Sequence, residues 1–344
     1  MRIYLLPKEG QFYKANLHTH TTVSDGAWTP EEVKKQYKER GYSIIAFTDH
    51  DVMIDHSDLA EENFLPLRGY ELEVGEIQDI PKEERVRDSK TCHMCFIALE
   101  PDNRTQVCWH REKYLGWGNM HQYAGQIKFD ESLPDYERFY SAEKISEMMQ
   151  IGRNNGFFVT YNHPAWSLET ANEYMNYDGM HAMEICNFGC WEIGYEDYVP
   201  GIYDEMLRGG KRIFCTATDD NHNKGANPTH DSFGGFTMIK ADKLEYRTVT
   251  KALERGDFYA SMGPEIYDLY VEDGMIHITC SPAVRISMNT GKRHAKAVWA
   301  EQEKTLCEAT FPLRENSIYF RLDVMDERGR HANTRAYFLD ELNG

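Results

Sequence analysis

A chain of 344 residues with 41% hydrophobic content is long enough for one large α/β domain and a smaller second one. Its formal net charge of -18 repels polyanions and so argues against nucleic-acid or anionic-membrane partners. A phosphate handled by so acidic a chain needs local positive charge, which bound metal ions could supply.

No stretch approaches the roughly 20 apolar residues of a membrane span. The opening MRIYLLPKEGQFY is interrupted too soon, at Pro7 and Lys8, to be a signal peptide. The eight cysteines therefore read as reduced thiols, and the expected location is cytoplasmic.

The first informative segment is NLHTHTTVSDG, Asn16 to Gly26. It reads as a strand, and residues two apart on a strand share a face. His18 and His20 can then grip one ion, although an isolated pair of this kind is more often surface or hydrogen-bonded histidines. Thr29-Pro30-Glu31-Glu32 follows, with an N-cap threonine, a proline at the first helical position and a glutamate at the third. It opens a helix that Gly41 closes.

Six further apolar runs read as strands: 43–50, 64–74, 91–99, 157–164, 182–187 and 212–222. SAEKISEMMQIGRNNG (141–156) and YRTVTKALERG (246–256) have helical spacing and end at glycine. Alternation of strand and helix predicts a parallel α/β sheet, and seven repeats suggest a barrel or near-barrel.

Residues about 100–140, with VCWHREKYLGWGNMHQY, form an insertion too long for an ordinary connection. After Gly263-Pro264 the helical patterns stop, and short alternating strands suggest a small β-sandwich. The expected domains are thus 1–264, a barrel, and 265–344, an accessory sandwich.

The candidate ligands fall at strand ends. His50 closes Thr48-Asp49-His50, and Glu71 follows Gly69-Tyr70. His93 is on the fourth strand, His163 precedes Pro164, and Asp220 and His222 end the seventh strand. In parallel α/β folds the carboxyl ends of strands converge on one face, where sites are built. Six histidines and three carboxylates, with Asp25 before Gly26 among them, are hard to explain as independent accidents.

These motifs, in this order over about residues 12–264, resemble the polymerase and histidinol phosphatase (PHP) family of metal-dependent phosphoesterases. The resemblance rests on His18-Thr19-His20 with Asp25-Gly26, Thr48-Asp49-His50, Glu71, His93, His163-Pro164 and Asp220-Asn221-His222. It implies a distorted (β/α)7 barrel with up to three metals, and the C-terminal sandwich is similar to the appendage of one branch. One ion would take His18, His20, Glu71 and Asp220. A second would share Glu71 and add His93 and His163, and a third would take Asp25, His50 and His222.

Neutral imidazoles bind divalent ions without cancelling their charge, while carboxylates bridge and neutralise. Three divalent ions against three carboxylates leave about +3 by formal count, enough to attract a phosphate dianion. Two or three Zn, Mn or Fe ions are expected, with catalysis assigned to Glu71, Asp220 and His222. The expected reaction is hydrolysis of a small phosphomonoester by a metal-activated hydroxide in a di- or trinuclear site. The alternatives are hydrolysis of a carboxyl or carbamate ester, and an exonuclease-type phosphodiesterase.

Several positions carry a second reading beside a plain one. Asp49 orients His50 or caps the next turn. His56 and His230 protonate the leaving group or are solvated loop residues. Trp109, Arg111 and Lys113 hold substrate or build a structural lid. Cys108 with His110 is a stray metal site or none. Cys92-His93-Met94-Cys95 is a zinc knuckle or a stretch of core strand.

Overall fold

The computed structural model describes residues 2–76, 89–116 and 118–342. After a short strand β1 (Ile3–Tyr4), the seven expected strands are present: β2 (Gln11–Asn16), β3 (Tyr42–Phe47), β4 (Leu65–Gly75), β5 (Thr91–Ala98), β6 (Phe157–Tyr161), β7 (Ala182–Asn187) and β8 (Phe214–Thr218). They are hydrogen-bonded side by side, in chain order, within one large sheet. Strands β6 and β7 are buried along their whole length, as expected where both faces are covered.

The helices are α1 (Pro30–Lys38), α2 (Ala142–Asn154), α3 (Ala171–Tyr174), α4 (Gly189–Glu192), α5 (Pro200–Arg208) and α6 (Tyr246–Arg255). Helix α1 starts where the sequence says it should. Thr29 Oγ1 accepts from Glu32 N–H (3.2 Å), and Glu32 Oε2 accepts from Thr29 N–H (2.8 Å). Val33 and Tyr37, four apart on one face, are fully buried. Helix α6 ends on Gly256, whose left-handed φ of 73° closes the last turn.

The sheet corrects one expectation: it is mixed rather than parallel. Strand β5 runs antiparallel to both β4 and β6, while β2–β3, β3–β4, β6–β7 and β7–β8 are parallel. Glu76 N–H donates to Lys90 O (3.0 Å), so the ladder continues past the end of β4 and β5 returns directly alongside it. Alternating apolar runs say nothing about strand direction, which is why the sequence pattern missed this.

Just beyond β2 and β8 the chain closes on itself. His20 N–H donates to Asn221 O (3.1 Å) and Asp220 N–H to His18 O (3.0 Å), with an isolated parallel bridge at Thr19 and Asn221. His18 and His20 therefore lie past the strand end rather than within it, and they still alternate because the extended backbone persists.

From β2 the sheet also extends the other way, through β9 (Phe236–Ala241) and β10 (Phe258–Ser261), both antiparallel. The C-terminal strands are β11 (Ile266–Glu272), β12 (Met275–Ala283), β13 (Arg285–Thr290), β14 (Lys296–Trp299), β15 (Leu306–Pro312), β16 (Tyr319–Met325), β17 (His331–Thr334) and β18 (Tyr337–Phe338). One sheet runs β1-β11-β12-β15; in the other, β14, β13, β16 and β17 join the main sheet through β10. Between them lies a core that includes Ile276, Ile278, Ile286, Phe311, Leu322 and Val324. Arg321 Nε and Nη2 grip Asp204 of α5 at 2.7 and 2.8 Å. Among the described residues no helix is long and apolar enough to cross a membrane.

The insertion packs on the loops that leave β2 and β3. Trp109, Met120 and Ile127 bury Val23 and Val52 in a cluster of their own. Gln106 Nε2 donates to Asp51 O (2.7 Å), and Asn119 N–H donates to Ser24 O (2.7 Å).

Candidate metal centre

All nine of the residues singled out from the sequence face one small volume. His18 and His20 follow β2, and Asp25 stands in the turn behind them. His50 follows β3, Glu71 lies midway along β4, His163 follows β6, and Asp220 and His222 follow β8. His93 comes from the third residue of β5, and the reversed direction of that strand brings its beginning to the rim where parallel strands end. The Asp25-Gly26 pair also has a steric reason: a Cβ on Gly26 would stand 2.6 Å from the His20 carbonyl oxygen.

Glu71 is the hub. Its Oε1 lies 3.1 Å from His18 Nε2, 3.2 Å from His93 Nδ1 and 3.4 Å from His163 Nε2. Its Oε2 lies 3.1 Å from His50 Nδ1 and 3.4 Å from His20 Nε2. Asp220 Oδ1 sits 3.0 Å from His20 Nε2 and 3.2 Å from His18 Nε2. Asp25 Oδ1 faces His222 Nε2 at 3.4 Å and His50 Nε2 at 3.8 Å.

Among the described residues four sets have ligand atoms close enough to share an ion: His18, His20 and Asp220; His18, Glu71 and His163; His50, Glu71 and His93; and His20, Asp25, His50 and His222. The last set adds His20 to the third trio that the family resemblance implies.

A second layer orients these groups, and sequence reasoning missed it. Glu184 of β7 accepts from His18 Nδ1–H (2.8 Å), which turns the lone pair of Nε2 inward. The same carboxylate accepts from His163 N–H (2.9 Å), Thr218 Oγ1–H (2.7 Å) and Asn187 Nδ2 (2.8 Å). Asn162 Nδ2 donates to Glu71 Oε1 (2.7 Å) and Asn187 Nδ2 to Asp220 Oδ2 (3.2 Å). His222 Nδ1–H donates to Asp220 O (3.0 Å), leaving Nε2 as the inward nitrogen. Trp166 stands edge-on to His93 and His163, with ring centroids 5.0 and 4.9 Å away. A lone glutamate inside the apolar run AMEICN was the available signal for Glu184, because a carboxylate is rarely buried unpaired.

The positions with a second reading find the following surroundings. Among the described residues Asp49 caps neither the turn that follows it nor one on its own strand; it fastens the loop after β2, accepting from Thr21 N–H (2.8 Å), Thr21 Oγ1–H (2.9 Å), Ser24 N–H (3.0 Å) and Ser24 Oγ–H (2.7 Å). Arg111 pairs with Asp135 (2.8 Å) and Lys113 with Glu137 (2.7 Å), both within the insertion, and Trp109 is buried. Cys92 and Cys95 are three apart on a strand and point to opposite faces, which rules out a knuckle. Among the described residues Cys108 and His110 belong to none of the sets close enough to share an ion. His230 is an exposed loop residue, whereas His56 is not solvated as expected: its Nε2 is buried.

The residues present fit bound divalent metal. Glu71 Oε2, Asp220 Oδ1 and both ring nitrogens of His93 are buried, yet none makes a well-directed hydrogen bond among the described residues. Burying such atoms without partners is costly, and a cation that binds all of them removes the cost. His163 and Asp220 also hold left-handed backbone, with φ of 26° and 53°, a strain that clusters at functional sites.

Without metal, protonated imidazoles must balance the carboxylates. Burial opposes charge on His20, but contacts with Asp220 and Glu71 prevail and hold its pKa up at about 10. Burial would likewise raise Glu71, but the charges on His18 and His93 hold it well below the usual carboxylate range. A histidine pKa raised from 6.5 to about 10 gives stability that is complete below pH 6.5 and lost as pH rises through 10. Chelated protein is therefore expected to melt at falling temperature across that window. Metal-loaded protein, where the ring must be neutral to serve as a ligand, should change far less. Melting curves of both forms from pH 6.5 to 10 check this, and equal slopes would contradict it.

A mixed α/β fold that gathers six imidazoles and three carboxylates, Glu71 at the hub, defines the class, a chain built about a candidate metal centre. A model of the PHP domain family matches residues 16–190, and the chain belongs to that family. Among curated proteins, none matches it.

Three solved structures are similar at low identity. A two-domain protein from Bacteroides vulgatus containing a predicted PHP-like metal-dependent phosphoesterase is 13% identical, with a TM-score of 0.43, over 98% of this chain and 97% of that one. A putative metal-dependent phosphoesterase from Bifidobacterium adolescentis is 17% identical, with a TM-score of 0.40, over 73% of this chain and 98% of that one. An amidohydrolase from Chromobacterium violaceum, with bound sulfate and no metal, is 14% identical, with a TM-score of 0.39, over 71% of this chain and 96% of that one.

Proposed function

We propose that the chain is a metal-dependent hydrolase that cleaves small phosphomonoesters, using two or three Zn, Mn or Fe ions in a distorted seven-stranded barrel. The observation that carries this reading is Glu71, one buried carboxylate within 3.1–3.4 Å of five imidazoles, with Oε2 lacking a hydrogen-bond partner among the described residues. Bound there, divalent ions would activate a water and offset the charge that develops on a phosphoryl group.

The chain's own residues do the rest. Glu184 and Asn162 hold His18 and Glu71 in register, so that Nε2 of the ring and both carboxylate oxygens face inward. Asn187 fixes Asp220 through Oδ2 and leaves Oδ1 directed at His18 and His20. His222, the most exposed of the nine, keeps its Nδ1 proton on Asp220 O and offers Nε2 at the edge where a substrate arrives.

The charge of -18 disfavours polymeric substrates such as DNA or RNA. A reducing, cytoplasmic setting suits the eight unbridged cysteines. Metal-reconstituted protein is expected to release phosphate from nucleoside or sugar monophosphates faster than it hydrolyses carboxyl esters, carbamates or single-stranded oligonucleotides. A phosphate-release and product panel reads this directly. Faster turnover of oligonucleotides would favour an exonuclease, and turnover of esters or carbamates alone would move the activity to carbon.

A further inference from the structure

The nine residues differ in exposure, and the difference locates the mouth of the centre. The side chains of His18, His20, His50, Glu71, His93 and His163 are at most 5% exposed, whereas Asp25 is 11%, Asp220 15% and His222 27% exposed. Among the described residues, the most open approach to the centre therefore runs across Asp25, Asp220 and His222. Two residues beyond His222 stands Lys224, its Nζ 2.8 Å from Asp25 Oδ2 and its side chain 55% exposed.

We propose that Lys224 binds the phosphate of the substrate at this mouth, exchanging Asp25 for a phosphoryl oxygen. The proposal rests on the phosphoesterase reading and extends it to a residue that no motif marks.

Three observations carry it. First, the backbone that bears Lys224 is fixed. Asp231 Oδ2 accepts from His222 N–H (2.6 Å) and Asn223 N–H (2.8 Å), and Asn223 Nδ2 donates to Pro228 O (2.7 Å) and Ser232 Oγ (2.7 Å). Asn223 has φ of 57°, a left-handed conformation that asparagine tolerates better than most residues, so the turn aims residue 224 at the mouth.

Second, the side chain is free to move, since an ion pair this exposed is weak and its four-carbon stem is flexible. Third, its present partner has a competing use. Asp25 Oδ1 faces His222, His50 and His20 within the set of four able to share an ion. A cation held by those residues would take up the charge of Asp25 and release the ammonium. An ammonium with three donors then stands beside the most exposed edge of the centre among the described residues, where a phosphate dianion can accept from it.

The test compares wild type, Lys224→Gln and Lys224→Arg, all metal-reconstituted. Binding of inorganic phosphate is measured by calorimetry, KM and kcat on the best phosphomonoester by phosphate release, and metal content by elemental analysis. In Lys224→Gln, the Kd for phosphate and KM are expected to rise on the order of 10- to 100-fold, as for loss of a charged hydrogen bond. The fall in kcat should be smaller, about 3-fold at most, metal content should match wild type, and Lys224→Arg should recover most of the affinity.

Unchanged Kd and KM in Lys224→Gln would overturn the proposal, as would altered metal content with phosphate affinity intact, which would reduce Lys224 to a partner of Asp25. If wild type hydrolyses no phosphoester yet loses phosphate binding on Lys224→Gln, the anion site stands and the proposed reaction falls. If hydrolysis is confirmed and Lys224→Gln behaves as wild type, the site falls alone.

Discussion

Glu71→Gln is expected to lower turnover on the order of 10³-fold or more, and to lose bound metal, while the protein stays folded. The substitution keeps size and shape but removes the charge that faces five imidazoles, and an amide is a poor bridge between cations. Its nitrogen would also meet Asn162 Nδ2, which now donates to Oε1.

The natural control is Glu73→Gln, two residues on and on the same strand face. Glu73 pairs in register with His93 but belongs to none of the sets able to share an ion, and its backbone carbonyl accepts from Arg138 (3.0 Å). Most activity should survive there. Collapse in Glu73→Gln with full activity in Glu71→Gln would show the bridge to be misplaced. Full activity in both would remove the paired-metal mechanism.

Arg138→Ala should give the largest loss of stability, about 3–5 kcal/mol, or roughly 10 °C in Tm. Arg138 is buried, and its guanidinium contacts the Asp51 carboxylate while donating to Glu73 O (3.0 Å) and Cys108 O (3.3 Å). It thereby ties the insertion to the residue that follows His50 and to the strand that carries Glu71. Burial raises the Asp51 carboxyl to about 6 even with the arginine beside it. Removing the arginine leaves that carboxylate in a dry site with its main counter-charge gone. Thermal melts of Arg138→Ala against the double variant Arg138→Met with Asp51→Asn separate charge from packing. The double variant should recover part of the loss, since neither buried charge then remains. A loss below about 1 kcal/mol in Arg138→Ala would show that the insertion is held by its apolar cluster alone.

Much of this architecture is legible in residue order, for identifiable reasons. The seven apolar runs appear as strands because each is bounded by turn residues or a capped helix, and the Thr29 capping box is a purely local signal. Most of the nine candidate ligands could be named because they sit at or near a strand end, where convergence is a property of the fold class; Glu71, midway along β4, and Asp25, in the turn beyond β2, were named through the motifs.

What stayed hidden depends on pairing. The reversed β5 could not be seen, since an apolar run reads the same in both directions. Glu184 is one buried carboxylate among apolar neighbours, and its four partners come from four separate segments. Arg111 and Lys113 looked available to substrate only because Asp135 and Glu137, 24 residues on, were not yet known to face them. The C-terminal strands read as a separate sandwich, yet one of their sheets continues the main sheet through β10 and β17, and the other takes in β1 from the start of the chain.

The central claim is that these nine residues hold metal around Glu71. Elemental analysis of purified wild type and Glu71→Gln, after matched reconstitution with Zn, Mn or Fe and removal of free ions, tests it most directly. Two or three ions per chain in wild type and at least one fewer in Glu71→Gln is the predicted result. Wild type without bound transition metal, or a Glu71→Gln variant that retains the full complement, would contradict it.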